Sequence, residues 1–322
     1  PLPPEEILPE LDLPPDMSQE VQIFSLNYAL SQDGRFDDVG AGDQVLWYLY
    51  RLEPPEVVHP PRRLLYTPIP YDRSWLNEEL LQLEREIDDE FSEWIAAPPP
   101  PDTAGVTITL TYPHRRVGTL PLTSRTRFLF PAGGNHQRTR ITLIDGRTGE
   151  PMEGWVVYEH RYVFGLEQWY EENKIPSGAF IKLERAADPL TVIVDYLPRR
   201  LKREWVRVAR VVDGQLLFEM RRKAIRCEYD ELMIIGEDDT ASVDTLWIET
   251  EEAQRSLYEI LLEVFPELAK LSPQGTVHAK TLYNAVNVVR RCPPGPIFAE
   301  MASRPCFIPV GGGYWAYNEE LC

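Results

Sequence analysis

Four short runs decide how this chain is read: RTRITLI (138–144), WVVYEH (155–160), GAFIKLE (178–184) and LTVIVDY (190–196). Apolar and polar residues alternate in them, which places every second side chain on one face of an extended strand. VTITLTY (106–112) repeats the pattern upstream. Turn signals separate the runs: AGGN (132–135), IDGRTGE (144–150), IPSG (175–178) and, further on, VDGQ (212–215). One amphipathic helix interrupts them, FGLEQWYEEN (164–173), with Leu166, Trp169 and Tyr170 on its inward side. Short strands at this density predict a basic, β-rich barrel or pseudobarrel with a hairpin extension over residues 105–235.

Outward from that block the pattern changes. Residues 1–20 are rich in Pro and Glu and read as an acidic linker. The segment 21–101 opens with apolar and aromatic sequence in which RFDDVGAGDQVLWYLYRL (35–52) looks like a β-hairpin. After a Pro-rich strap (54–70), Leu76, Leu80, Leu83, Ile87, Phe91 and Trp94 form one apolar stripe behind Ser74 as N-cap, predicting a long amphipathic helix closed by Pro98–Pro101. Its carboxylates, Glu78 through Glu93, read as a solvated face. An acidic connector (236–252) leads to residues 253–322, where helix, helix, short helix and hairpin predict a winged helix. Phe36-x-x-Val39-Gly40 faintly repeats Phe307-x-x-Val310-Gly311, which leaves open a second winged helix ending within 22–52. The expected fold class is α+β and multi-domain: a β-rich pseudobarrel plus winged helix, preceded by a long amphipathic helix.

Length and composition set the frame. A chain of 322 residues with 43% hydrophobic content is globular and large enough for two or three domains. No apolar run approaches the ~18–20 residues of a membrane helix, and no signal peptide is visible, so a cytoplasmic protein is expected. The chain opens Pro-Leu-Pro-Pro without a methionine, so its numbering is read as starting inside a longer protein. Cys227, Cys292, Cys306 and Cys322 are too scattered for a metal site and read as buried thiols plus a terminal one. Net charge is −18, yet residues 115–226 hold 21 Lys+Arg against 13 Asp+Glu, a balance of +8 that leaves −26 elsewhere. A basic middle between acidic ends points to a polyanionic partner.

Two segments resemble known families. Trp155-Val-Val-Tyr-Glu-His-Arg-Tyr162-Val-Phe, Gly165…Trp169-Tyr170-Glu-Glu-Asn-Lys174 and Pro176-Ser-Gly178-Ala-Phe180-Ile follow the order of elements in the B3-like DNA-binding pseudobarrel of plant transcription factors and some restriction enzymes. An acidic residue is common after that last glycine; Ala179 stands there. Residues 105–197 carry the resemblance, which implies two arms gripping the major groove, around Arg115–Arg127 and Tyr158–Arg161. Residues 253–318 resemble the winged helix of HARE-HTH domains, chiefly through Phe307-Ile-Pro-Val-Gly-Gly-Gly-Tyr-Trp-Ala-Tyr317. That resemblance implies association with chromatin or DNA-modification systems.

DNA binding needs cations for phosphates and polar groups for base edges. Candidate DNA contacts are Arg115, Arg116, Arg125, Arg127, Asn135, His136, Arg138, Arg140, His160 and Arg161, with Gln137 among them. A secondary basic patch comprises Arg199, Arg200, Lys202, Arg203, Arg221, Arg222 and Lys223, flanked by Arg207, Arg210 and Arg226. The competing expectation pairs these arginines with acidic surfaces of the flanking regions. In the winged helix, PIFAEMASR (296–304) is a poor reading helix, whereas 278–291 offers His278, Lys280, Asn284, Asn287, Arg290 and Arg291. No G-x-S-x-G, Walker or H-E-x-x-H pattern occurs. No enzyme activity, cofactor or metal is expected. The expected function is double-stranded DNA binding, as a transcription-type regulator or the recognition subunit of a DNA-defence or mobile-element system. The alternative is a non-enzymatic scaffold whose basic barrel docks an acidic protein, with partner contact or self-association through the winged helix and the acidic helix.

Overall fold

Every second residue of Arg138–Asp145 is buried, and the same alternation marks Phe180–Arg185 and Thr191–Tyr196. The computed structural model, which describes residues 1–12, 17–100, 103–134 and 136–322, turns those faces inward. The protein is α+β, with ten α-helices among the described residues and a curled seven-strand half-barrel.

In chain order the helices are α1 (Pro4–Ile7), α2 (Gln19–Gln32), α3 (Pro55–Val58), α4 (Glu78–Ile87), α5 (Tyr112–Arg116), α6 (Glu167–Asn173), α7 (Thr240–Glu252), α8 (Leu257–Ala269), α9 (Ala279–Val289) and α10 (Pro294–Ser303). The first strands, β1 (Phe36–Asp38) and β2 (Trp47–Leu49), form the expected hairpin. The half-barrel uses β3 (Gly105–Thr109), β4 (Thr119–Pro121), β5 (Arg138–Asp145), β6 (Pro151–Val157), β7 (Tyr162–Phe164), β8 (Phe180–Arg185) and β9 (Thr191–Tyr196). Their order is β3-β8-β9-β5-β6-β7-β4, so the sheet stays open between β3 and β4. The β5–β9 pair is parallel and the others antiparallel.

After the half-barrel come β10 (Pro198–Val212) and β11 (Gln215–Cys227), a long antiparallel arm. Its turn is Asp213-Gly214, both at positive φ (51° and 76°), the backbone that a two-residue hairpin with right-handed twist requires. The short β12 (Ile235–Glu237) pairs in parallel with β10. At the C-terminus β13 (Thr276–His278), β14 (Phe307–Gly311) and β15 (Tyr314–Tyr317) form a sheet in the order β13-β15-β14.

Three cores result. Ile141, Leu143, Val156, Val163, Trp169, Tyr170, Ile181 and Val194 fill the half-barrel. On the opposite face of β6 and β7, Trp155, Val157 and Tyr162 pack against Val39, Val57 and Leu64 from the N-terminal region. The third core joins α4, α7, α8, α9 and α10. The arm spans two of them: Val206, Val208 and Ile225 enter the half-barrel core, while Ala209, Leu216 and Phe218 enter the helical one.

Several expectations need correction. Residues 1–12 are ordered against the β1–β2 hairpin, with Leu2 bridging Trp47 and Pro4 and Leu8 buried, so the first part is no linker; residues 13–16 lie outside the described residues. The long helix is shorter. Asn77, not Ser74, caps it through the Leu80 amide (2.9 Å), and Asp88 at φ 52° ends it before Phe91 and Trp94. Glu84, Asp88, Asp89 and Glu90 are buried rather than solvated, because basic and hydroxyl partners from elsewhere in the chain meet them. Glu84 pairs with Arg73 (2.6 Å), Asp88 accepts from Thr123 (2.9 Å), and Asp89 and Glu90 both bind Arg291 (2.7 Å each). Tyr283 also donates to Asp89 (2.6 Å), and His114 lies 3.0 Å from Glu90. Burial pushes Glu90 upward, but Arg291 and His114 outweigh it and hold its carboxyl at about 2.

The acidic connector is mostly α7, capped by Asp239, with Val243, Leu246, Trp247 and Thr250 buried. The span 105–235 contains a second helix, α5. All eleven residues of α9 are buried, Lys280, Asn284 and Asn287 among them. Its polar groups serve the interior: Asn284 accepts from the Tyr112 amide (3.1 Å), and Lys280 pairs with Glu86 (2.5 Å) and Asp230 (3.1 Å). They therefore cannot read a groove.

Candidate nucleic-acid interface

The structure brings the two predicted gripping segments together, since the Leu122 amide donates to the Arg161 carbonyl (2.8 Å). It also covers them. The chain after α4 lies across this end of the half-barrel, where Arg161 donates to the Glu90 carbonyl (2.9 Å) and the Ala96 amide to Ser124 (2.9 Å). Arg125 lies 3.9 Å from Asp88, whose carboxyl burial pushes up to about 6. Arg138 is held by Asp37 (2.5 Å) and by Glu53 (2.6 Å), the latter wholly buried. Arg140 pairs with Glu153 (3.0 Å) and Arg115 with Glu171 (2.8 Å). Arg116 meets Asp244 (2.8 Å) and Glu237 (3.4 Å), and His136 faces Asp38 (3.7 Å). Arg127, His160 and Arg161 of this set show no ion pair among the described residues, Arg161 being held by the Glu90 carbonyl, and Asn135 lies outside them. These cations complete the fold before they could meet a phosphate.

The secondary patch is different. Residues 198–227 contain ten Lys+Arg and three Asp+Glu, and strand geometry sorts them. Residues directly opposite on paired strands share a face, and the register sets Arg203 against Ala224, Trp205 against Arg222 and Arg207 against Met220. That face carries no carboxylate. The other face holds Glu204 and Glu219, which pair with Arg199 (2.8 Å), Arg210 (3.2 Å) and Arg221; Arg221 also meets Asp238 (2.5 Å). Among the described residues Arg200, Lys202, Arg203, Arg222 and Arg226 are exposed with no carboxylate at ion-pair distance, and exposed Lys223 meets only the Glu237 carbonyl (3.4 Å). Arg207 is half-buried and donates to the Glu231 carbonyl (2.8 Å); burial lowers its pKa.

An aromatic group sits among these cations. Trp205 is 60% exposed, with the Arg222 guanidinium 5.8 Å from its ring centre, and Leu201 and Met220 are exposed nearby on the arm. Trp205 stands outside the site residues that the sequence pattern points to. Its signal lay in the run Lys202-Arg-Glu-Trp-Val-Arg207, where an aromatic residue interrupts a basic strand. A flat ring beside free guanidinium groups can hold a polyanion and stack on a base. Because β11 is an edge strand, its charges also blunt the open edge against pairing with another sheet.

Comparison with protein-family models, curated proteins and solved structures finds no match to this chain. No helix among the described residues is long and apolar enough to cross a membrane.

Proposed function

We propose that this protein binds double-stranded DNA, and that the β10–β11 arm, rather than the end of the half-barrel, makes the contact. The observation that carries this reading is the all-cationic face of Arg203, Arg207 and Arg222 around exposed Trp205, free of any carboxylate. A two-stranded ribbon fits the major groove, and arginine forks meet phosphate oxygens in pairs. In this reading the half-barrel is a B3-like pseudobarrel that anchors the arm, and α8 to β15 is a winged helix. Its third helix, α10, is buried through Pro294–Ala299, while Ile308, Val310 and Tyr314 of β14 and β15 are exposed; that surface suits protein contact better than groove insertion. The cations expected to lie at the end of the half-barrel act instead as internal fasteners.

The competing reading makes the arm a dock for an acidic protein. Salt-dependent binding to random-sequence duplex separates the two. The free cations of that face, Arg203, Arg222 and Arg226, on phosphates give a slope of log K against log salt of about −2.7, whereas absence of duplex binding at low salt leaves the protein-docking reading.

A further inference from the structure

A cleft opens beside the helical core. The strap of residues 61–67, the last turns of α7 and the end of α9 enclose a cleft of about 370 Å³ lined by Arg62, Trp247, Thr250, Arg255, Arg290 and Arg291, with Glu251 on its wall. Three polar groups around it are buried without a hydrogen-bond partner: Trp247 Nε1, Thr250 Oγ1 and Arg291 Nε. Indole and guanidinium N–H groups only donate, and native interiors seldom leave such groups unmatched. These atoms are sealed from the cleft as it stands, so they meet an acceptor there only when the side chains carrying them shift.

The rim adds positive charge. Arg62 is 71% exposed and its one carboxylate contact, Glu251, is 4.0 Å away. Arg290 has no carboxylate at ion-pair distance among the described residues and donates to the Arg255 carbonyl. Arg255 is engaged by Glu263, and the Nη2 of Arg291 by Asp89 and Glu90. Among the described residues Arg290 therefore stands free of any carboxylate, and Arg62 is held loosely by one. The carbonyls ending α7 are taken by the amides of Ala253, Gln254 and Arg255, so the helix end does not line the cleft with open acceptors.

We propose that this cleft binds a small phosphate monoester. Its phosphoryl group sits between Arg62 and Arg290, and a shift of the Thr250 or Trp247 side chain towards it gives their donors the acceptor they lack. Guanidinium forks match phosphate geometry, three terminal oxygens meet more donors than a carboxylate does, and the volume falls in the range of small-molecule sites. The site is separate from the arm and does not depend on DNA binding.

The test is calorimetric titration of the full chain with inorganic phosphate, adenosine monophosphate and acetate at constant ionic strength. Four proteins are compared: wild type, Arg62→Ala, an Arg62→Ala/Arg290→Ala variant and an Arg203→Ala/Arg222→Ala arm variant. Saturable binding of phosphate and the monophosphate but not acetate, weakened about tenfold or more in the cleft variant and unchanged in the arm variant, supports the site. Arg62→Ala alone removes only an exposed side chain, so it keeps the fold and still weakens binding. No saturable binding at millimolar phosphate overturns the proposal. Binding that survives Arg62→Ala/Arg290→Ala, or that disappears in the arm variant instead, also overturns it.

Discussion

Replacing Arg291 with methionine tests whether the buried charge cluster holds the regions together. Arg291 is 1% exposed at its side chain and bonds Asp89 and Glu90, each 2.7 Å away and no more exposed. It also meets Asn287 (3.2 Å) and lies over the Phe91 ring (5.1 Å). Methionine keeps much of the packing but leaves the two carboxylates with only Tyr283, the Phe91 amide and His114. Breaking a buried pair from one side costs about 3–5 kcal/mol, and that is the loss expected in guanidinium-induced unfolding at neutral pH. The pH dependence gives a second reading. Without Arg291, only His114 offsets the burial that pushes the Glu90 carboxyl upward, so its folded pKa rises and the native state takes up a proton that the unfolded state has already released. The variant's deficit therefore shrinks towards about pH 5 and grows towards about pH 8. Adding Asp89→Asn and Glu90→Gln to the variant should recover part of the loss. A deficit under about 1 kcal/mol, or one that does not vary with pH, refutes this account of the cluster.

Three further outcomes follow. Burial holds His278 down to about 4 against an ordinary 6.5, and its neutral ring accepts from the Lys280 amide (3.1 Å). The folded pKa is depressed, so this stabilisation is present above about 6.5 and lost as pH falls towards 4; His278→Asn, which keeps a capping acceptor, should flatten that part of the curve, and an unaltered slope speaks against it. Gly165 has φ 121°, and a Cβ there would lie 2.2 Å from the Glu153 carbonyl oxygen, so Gly165→Ala should cost about 2 kcal/mol or more. Gly149→Ala, with open space around it, should cost clearly less in the same unfolding assay. Trp205→Ala should leave stability within about 0.5 kcal/mol while weakening oligonucleotide binding; equal affinity in a fluorescence titration removes Trp205 from the interface.

The alternating strands were legible because their burial pattern is local: β5, β8 and β9 fall where the runs place them. The same holds for the apolar stripe of α8 and for the Asp-Gly turn of the arm. Acidic composition hid α7, although Asp239 and the spacing of Val243, Leu246, Trp247 and Thr250 carried a capped helical stripe. The fate of Asp89 and Glu90 was not readable locally, since their guanidinium partner stands about two hundred residues away. The candidate cations were visible as residue types, but which of them are free depends on distant carboxylates. Asp37 and Glu53 claim Arg138, and Asp244 claims Arg116, whereas among the described residues nothing comparable reaches Arg203 or Arg222.

The central claim, that the arm is the polyanion-binding surface, is tested most directly by fluorescence anisotropy with labelled random duplex titrated across salt. Wild type is compared with an arm variant (Arg200, Lys202, Arg203 and Arg222 to alanine) and with Arg127→Ala at the end of the half-barrel. The expected result is salt-sensitive binding by wild type and Arg127→Ala, and its loss in a folded arm variant. Undiminished binding by the arm variant, or no binding by wild type at low salt, contradicts the claim.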